Sequence, residues 1–138
     1  MSGKSSLVLL STAILMGCAM AGGSGAETHL TPIELNKNPS AYDHKHVVVK
    51  GWLEYGFEQR HLFQSVITKE EGEGKAPVDD PACTSIEVPE TLRSRATKLN
   101  HRYVLIEGLF LSDLAGERVF LGLCSTTGIQ VESIKPAP

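Results

Sequence analysis

The stretch CTSIEVPETLRSRATKLNHRYVLIEGLFL, residues 83–111, decides the fold. It begins with a β-prone run at 83–88, and Pro89 then suits the first position of a helix. The apolar residues after this proline recur at helical spacing: Leu92, Ala96 and Leu99. The run at 102–111 is β-prone again. The stretch therefore predicts a strand, a helix and a further strand.

Two more strands are predicted upstream, HVVVKGWLEYG at 46–56 and RHLFQSVI at 60–67, and one downstream, GIQVESI at 128–134. In the first of these, alternate residues divide between two faces. One face carries Val47, Val49, Leu53 and Tyr55, and the other carries Val48, Lys50, Trp52 and Glu54. Gly51 in the middle of the strand predicts a bend or bulge.

A short helix is predicted before the first strand. Thr31 and Glu34 have the spacing of a capping box, and Pro32 suits the first helical position. The helix should end at Asn38, because a residue before proline disfavours helical backbone. The following SAYDHKH predicts a turn.

The predicted order is β-β-β-α-β-β after a leading helix. A mainly β, five-stranded Greek-key OB-fold barrel has this order, with its helix between strands 3 and 4. In that fold, strand 5 closes the barrel beside strand 3 and runs parallel to it. Cys83 begins strand 3 and Cys124 lies just before strand 5. We therefore expect the two cysteines to lie close together.

The chain has 3 cysteines. A Cys83–Cys124 disulfide would close a loop of about 40 residues, which stabilises the fold by about 4 kcal/mol. The alternative is two buried free thiols. The sequence has no Cys-x-x-Cys motif, so it gives little support to redox catalysis or to a zinc site, and we expect no metal and no cofactor.

Residues 1–26 have the pattern of a targeting leader and tether, which leaves 27–138 as a single domain. Lys4 precedes the apolar run LVLLSTAILMG, which is too short for the ~20 residues of a membrane-spanning helix. Leu-Met-Gly-Cys resembles the lipobox of bacterial lipoproteins, in which Cys18 would carry diacylglycerol. Alternatively, the leader is cleaved before Gly22. We expect a lipid-anchored envelope protein on the periplasmic side of the outer membrane, or a soluble periplasmic one.

Two further stretches carry a resemblance. TPIELNKNPSAYDHKHVVVKGWLEYGFE, followed by LNHRYVLIEGLF, resembles the tRNA-anticodon-like OB-fold proteins exported by bacteria, many with lipoprotein leaders. The similarity covers roughly residues 31–134. Proteins of this type usually have glycine in the turn after the aspartate, where this chain has His44. The resemblance implies the fold and implies no catalytic residue.

A candidate binding surface follows from the fold. OB-folds bind ligands on the face of strands 2 and 3, rimmed by the loops joining strands 1–2 and 4–5. Near this face the chain has an arginine and aromatic side chains suited to stacking: Trp52, Phe57, Arg60 and Phe63. Alternatively, Trp52 packs under the N-terminal helix and Phe63 fills the barrel.

Two polar clusters are weaker candidates. His44 and His46 have a spacing that would allow metal chelation, although solvated turn histidines are the favoured interpretation. The polar, acidic 69–82 loop between strands 2 and 3 lacks the spacing of a calcium loop. No hydrolase, metalloprotease or phosphate-loop motif is present.

The formal net charge is −3, which offers no basic field for nucleic acid. The sequence therefore favours a non-enzymatic envelope lipoprotein whose OB-fold binds a protein, peptide or glycan. The alternatives are a structural scaffold acting through the 69–82 loop, and a protein that binds single-stranded nucleic acid.

Overall fold

The computed structural model of this chain describes residues 28–66, 80–116 and 123–138. Two predicted features lie wholly or largely outside the described residues. They are the leader with Cys18 and the 69–82 loop except its last three residues.

Between residue 28 and the sheet, two short helices form, α1 (Pro32–Lys37) and α2 (Pro39–Tyr42). The predicted capping box is confirmed, because the Thr31 hydroxyl accepts the Glu34 amide and the Glu34 carboxylate accepts the Thr31 amide at 2.8 Å. The end of α1 at Asn38 is also confirmed. Pro39 then begins α2 where a turn was predicted, since its fixed φ suits the first helical position.

Five strands follow, with one helix between the third and the fourth. The elements are β1 (Lys45–Tyr55), β2 (Arg60–Phe63), β3 (Cys83–Glu87), α3 (Glu90–Leu99), β4 (Tyr103–Leu111) and β5 (Gly128–Pro136). The predicted order is confirmed. β2 is shorter than the predicted run at 60–67, and β5 is longer than the predicted run at 128–134.

The strands form a closed barrel in the order β1-β2-β3-β5-β4. All neighbouring strands are antiparallel except β3 and β5, which run parallel with Ser85 opposite Gly128. This topology, with α3 between β3 and β4, is that of the OB-fold, so the predicted fold class is confirmed.

The core lies inside the barrel. Along β1, buried and less buried residues alternate from Val47 to Leu53, as expected for a strand with one face inward. Leu35 of α1 and Ala96 and Leu99 of α3 belong to the same buried cluster. The two helices therefore cover apolar surface that the barrel would otherwise expose.

Gly51 does not mark the predicted bulge. β1 pairs with β4 in unbroken register through Gly51, and the register shift lies between Glu107 and Gly108 of β4. Gly51 is required for a different reason. A Cβ at this position would lie 2.6 Å from Cγ of Leu62 and 2.7 Å from the Phe63 carbonyl oxygen. The absent side chain lets β2 approach β1 closely.

The Cys83–Cys124 disulfide is confirmed. It joins the start of β3 to the segment before β5, with a Cα–Cα distance of 6.0 Å. Cys83 and Cys124 are both buried. Because β3 and β5 are parallel, the two cysteines meet at the same end of the strand pair.

The chain preceding α1 adds to the sheet. The Leu30 amide donates to the Val48 carbonyl at 3.0 Å, and the Leu30 carbonyl accepts the Lys50 amide at 2.8 Å. β2 pairs only with residues 52–55 of β1. Leu30 therefore forms hydrogen bonds with the part of β1 that β2 does not cover. Within the described ranges, no helix has the length and apolar character needed to cross a membrane.

Candidate functional site

A row of aromatic and cysteine side chains crosses the outside of the barrel. Strand register places Trp52 of β1 opposite Tyr103 of β4 on one side and opposite Phe63 of β2 on the other. Phe63 is opposite Cys83 of β3. Because directly opposed residues share a face, these four side chains form one row across four strands, here called the outer row.

Trp52 is held by polar and aromatic contacts on this face. Its indole Nε1 donates to Oε1 of Glu54 at 2.7 Å, and His101 Nδ1 lies 3.2 Å from the same oxygen. Its ring meets Tyr103 edge-on, with centroids 5.3 Å apart and an interplanar angle of 74°. The indole therefore packs against side chains of the neighbouring strands.

Phe63 is not available as a contact residue. Its side chain is 4% exposed and belongs to a small buried cluster with Cys83 and Cys124, against which Trp52 also packs. This cluster is separate from the barrel core. Both interpretations of Phe63 are thus corrected, because the ring neither fills the barrel nor offers a stacking surface. The disulfide packs against it.

Phe57 and Arg60 lie at the turn between β1 and β2. The turn is closed by the Gly56 amide, which donates to the Gln59 carbonyl at 2.7 Å. Phe57 is 95% exposed, more than any other large apolar residue in the described ranges. Arg60 is also exposed and begins β2 opposite Tyr55. This turn is one of the two loops that rim the ligand face of an OB-fold.

The four predicted binding residues therefore form two groups. Trp52 and Phe63 are neighbours in the outer row, whereas Phe57 and Arg60 are neighbours at the turn. Three residues of strand separate the two groups, which corresponds to about 10 Å. Trp52 is half-buried, so only Phe57 and Arg60 are fully presented to solvent.

The sequence interpretation missed three side chains around Trp52. Tyr103, 40% exposed, contacts the indole edge-on, Glu54 accepts the indole N–H, and His101 contacts the Glu54 carboxylate. Pairing the predicted first and fourth strands residue by residue would have placed Tyr103 beside Trp52. Glu54 lies two residues after Trp52 in the same strand, so both side chains are on one face. This relation could have been read from the sequence.

The two candidate histidines, His44 and His46, face different carboxylates. His44 Nδ1 lies 2.9 Å from Oδ2 of Asp43, whereas His46 Nδ1 lies 3.2 Å from Oε2 of Glu132. Both rings are largely exposed, at 74% and 64% of the side chain. Each histidine thus faces its own carboxylate in solvent.

A different group of ligand atoms is close together. His61 of β2, Cys83 and Cys124 each offer one atom, and these atoms all lie within 4.8 Å of one another. The two sulfurs are bonded to each other. His61 also packs edge-on against Phe63, with ring centroids 5.6 Å apart.

A shallow groove lies further along the outside of β1. Its volume is about 340 Å³, and it is bordered by Val48, Glu107, Ser133 and Lys135 together with the chain at Thr28. One acidic and one basic side chain face this groove from β4 and β5, so the charges are balanced and do not converge on a single ligand group.

No protein-family model and no curated protein matches this chain. Among solved structures, two OBodies bound to hen egg-white lysozyme are similar, with TM-scores of 0.46 and identities of 19% and 21%. The matches cover 80% and 79% of this chain and 94% and 91% of those chains. Asparaginyl-tRNA synthetase from Pyrococcus horikoshii, complexed with asparaginyl-adenylate, is similar at 17% identity with a TM-score of 0.40. That match covers 70% of this chain and 20% of the synthetase. The OB-fold itself follows from strand order, register and the position of α3.

Proposed function

We propose that this protein is a non-enzymatic binding module that recognises a protein partner through the turn between β1 and β2. The observation that carries the proposal is the 95% exposure of Phe57 at this turn. Moving a phenylalanine side chain from water into an apolar pocket gains about 1.5–3 kcal/mol. An aromatic anchor presented on a hydrogen-bonded turn is suited to such a pocket on a partner.

Arg60 supports a contact with a protein. It is exposed beside the same turn, and a guanidinium provides planar paired donors for a carboxylate at the rim of an interface. Arginine and aromatic residues are the side chains enriched at protein interfaces. We infer that the partner offers an apolar pocket for Phe57 with an acidic or carbonyl-rich rim for Arg60.

The alternatives have less support. Single-stranded nucleic acid is disfavoured by the net charge of −3. A flat stacking platform for a sugar ring is disfavoured because Trp52 and Tyr103 meet edge-on, at 74°. A scaffold acting through the 69–82 loop remains the second hypothesis. A non-enzymatic role is supported by the lack of recognised catalytic motifs in the sequence.

We also propose that Cys18 anchors the domain to a bacterial envelope membrane, with residues 19–26 as a tether. The support is the apolar run followed by Leu-Met-Gly-Cys and a glycine-rich stretch. The intact mass of the processed protein tests this. A chain that starts at Cys18 with added acyl mass agrees with the anchor, and an unmodified chain that starts at Gly22 contradicts it.

The binding surface is tested by photo-crosslinking in the bacterial envelope. A photoreactive residue is placed at position 57 of the full chain, or at position 98 on α3 as an exposed control. We expect a protein adduct from position 57 and none from position 98. With the identified partner purified, Phe57→Ala should weaken binding at least about tenfold, and Phe57→Trp should bind nearly as well as the wild type.

Three outcomes contradict the proposal. Binding that Phe57→Ala leaves unchanged, but that deletion of residues 70–80 abolishes, would favour the loop scaffold. Salt-sensitive binding to oligonucleotides without a protein adduct would favour nucleic acid. Equal adducts from positions 57 and 98 would show that the turn is not a specific surface.

A further inference from the structure

The group formed by His61, Cys83 and Cys124 lies apart from the proposed contact turn and has a chemistry of its own. Two thiols and one imidazole are ligands that zinc and similar borderline cations prefer. In a tetrahedral site with these bonds, neighbouring ligand atoms are about 3.5–3.8 Å apart. Here the His61 ring nitrogen lies within 4.8 Å of both sulfurs, and the two sulfurs, now bonded to each other, would move apart to those distances once their bond is broken.

We propose that reduction of the Cys83–Cys124 disulfide opens a metal site in which both thiolates and His61 bind one Zn²⁺-like cation. A dithiol reductant breaks the S–S bond and becomes a disulfide itself, whereas a phosphine takes the oxygen of one water molecule and becomes a phosphine oxide. In both cases each sulfur gains one electron and one proton, the protons coming from the dithiol or from the water. The cation then displaces the two thiol protons as the two sulfur–metal bonds form. In the oxidised protein each sulfur is bonded to the other, and the site is closed.

The surroundings of the group suit this role. Cys83 and Cys124 are 0% and 1% exposed, and Phe63 and Trp52 pack against them as an apolar shell. His61 is half-buried, which leaves a route from solvent. The Ser85 hydroxyl lies 3.8 Å from Sγ of Cys124 and donates to the Ser125 carbonyl at 3.0 Å. Three protein ligands leave a fourth position for water.

The test uses the purified protein with Co²⁺ as the probe, because cobalt thiolates give charge-transfer absorption that reports sulfur ligation. The protein is reduced with a phosphine, and the phosphine is removed without oxygen. We expect reduced protein to bind one Co²⁺ per chain with a thiolate band and tetrahedral visible bands. Oxidised protein should show neither, and Zn²⁺ should displace the cobalt.

Variants test the three ligands. His61→Ala should weaken Co²⁺ binding at least about tenfold, the lower end of what loss of outer-shell partners alone costs. The matched control is His46→Ala, which removes an exposed histidine that faces Glu132, away from the cysteines, and should leave affinity unchanged. Serine at both Cys83 and Cys124 should abolish the thiolate band.

Three results would overturn the proposal. The first is equal Co²⁺ affinity in the wild type and in His61→Ala. The second is equal binding by oxidised and reduced protein. The third is loss of β-structure on reduction, measured by circular dichroism, because the site depends on β2, β3 and the segment before β5 staying together.

Discussion

At the scale of single residues, His44 shows a local conflict between backbone and side chain. Its φ is 57°, in the left-handed region where a side chain costs roughly 1–2 kcal/mol. Glycine adopts this conformation without a steric penalty. The backbone is held there because the His44 amide donates to the Phe110 carbonyl at 2.9 Å.

The substitution His44→Gly should therefore raise the free energy of unfolding by about 0.5–1 kcal/mol. Glycine removes the backbone strain of the folded state, and this gain exceeds the free-energy cost of its greater flexibility in the unfolded chain. Urea unfolding with an unchanged m-value measures the effect. His44→Ala is the control, because alanine keeps the unfavourable φ and should give no gain. Equal stability of the glycine and alanine variants would show that the positive φ at position 44 does not lower the stability of the wild type.

Asp43, the preceding residue, is the source of a predicted acid dependence. Its carboxylate accepts the Ser112 amide at 2.8 Å and contacts His44, and the Ser112 hydrogen bond is the main reason that the pKa of Asp43 is lowered. The folded state thus binds this proton less readily than the unfolded state. The stabilisation is present above the unfolded pKa of about 4 and is lost as pH falls through the lower folded pKa.

Asp43→Asn tests this linkage. We expect the variant to have a lower Tm than the wild type near neutral pH, and the difference in Tm should shrink as the pH falls below about 4. Thermal unfolding of both proteins, followed by circular dichroism from neutral pH to below about pH 4, measures the difference in Tm. A Tm difference that stays constant across the whole range would show that the charge of Asp43 is not involved.

At the scale of elements, Asn36 fastens α1 to the barrel. Its Nδ2 donates to the carbonyls of Pro81 and Cys83 at 2.9 and 2.8 Å, at the start of β3. Its Oδ1 accepts the Thr127 hydroxyl at 2.6 Å, just before β5. One amide side chain therefore links three elements that are separated along the chain, beside the disulfide that links two of them.

Asn36→Ala should lower the free energy of unfolding by about 2–3 kcal/mol. The variant loses three strong hydrogen bonds and leaves partly buried polar groups without these partners. Asn38→Ala is the matched control, because the Asn38 side chain accepts the hydroxyl of exposed Ser40, and its loss should change stability by about 0.5 kcal/mol or less. Similar losses of stability in the two variants would contradict the role of the Asn36 hydrogen bonds in linking α1 to the barrel.

At the scale of the whole molecule, the disulfide restricts the unfolded chain across a sequence separation of 41 residues. Serine at both Cys83 and Cys124 should lower the free energy of unfolding by about 3–4 kcal/mol. Urea unfolding under oxidising conditions measures the loss. A reductant should produce a similar loss in the wild type and no change in the serine variant, so an effect of reductant on the serine variant would contradict the assignment.

Trp52 offers a direct optical report of the same bond. It is the single tryptophan of the chain and packs against the disulfide cluster, and disulfides quench indole emission at contact distance. Its emission should increase when wild-type protein is reduced. The increase should be absent in the serine variant.

The sequence by itself determined the features that depend on neighbours within a few residues. The capping box at Thr31, the end of α1 before Pro39 and the strand–helix–strand order around α3 all follow from local rules of backbone geometry. Because that order matches one barrel topology, it also predicted that Cys83 and Cys124 would pair. The anchor at Cys18 stays a prediction from the sequence alone.

Only the tertiary structure decided which side chains share the outer face and how deeply each is buried. Phe63 is covered by the disulfide between Cys83 and Cys124, which come from separate segments of the chain. Trp52 meets Tyr103 of the neighbouring strand β4, and His61 comes near both cysteines. The close approach of β2 to Gly51 is of the same kind. Such contacts depend on exact register and on packing between distant segments, which local sequence patterns do not encode.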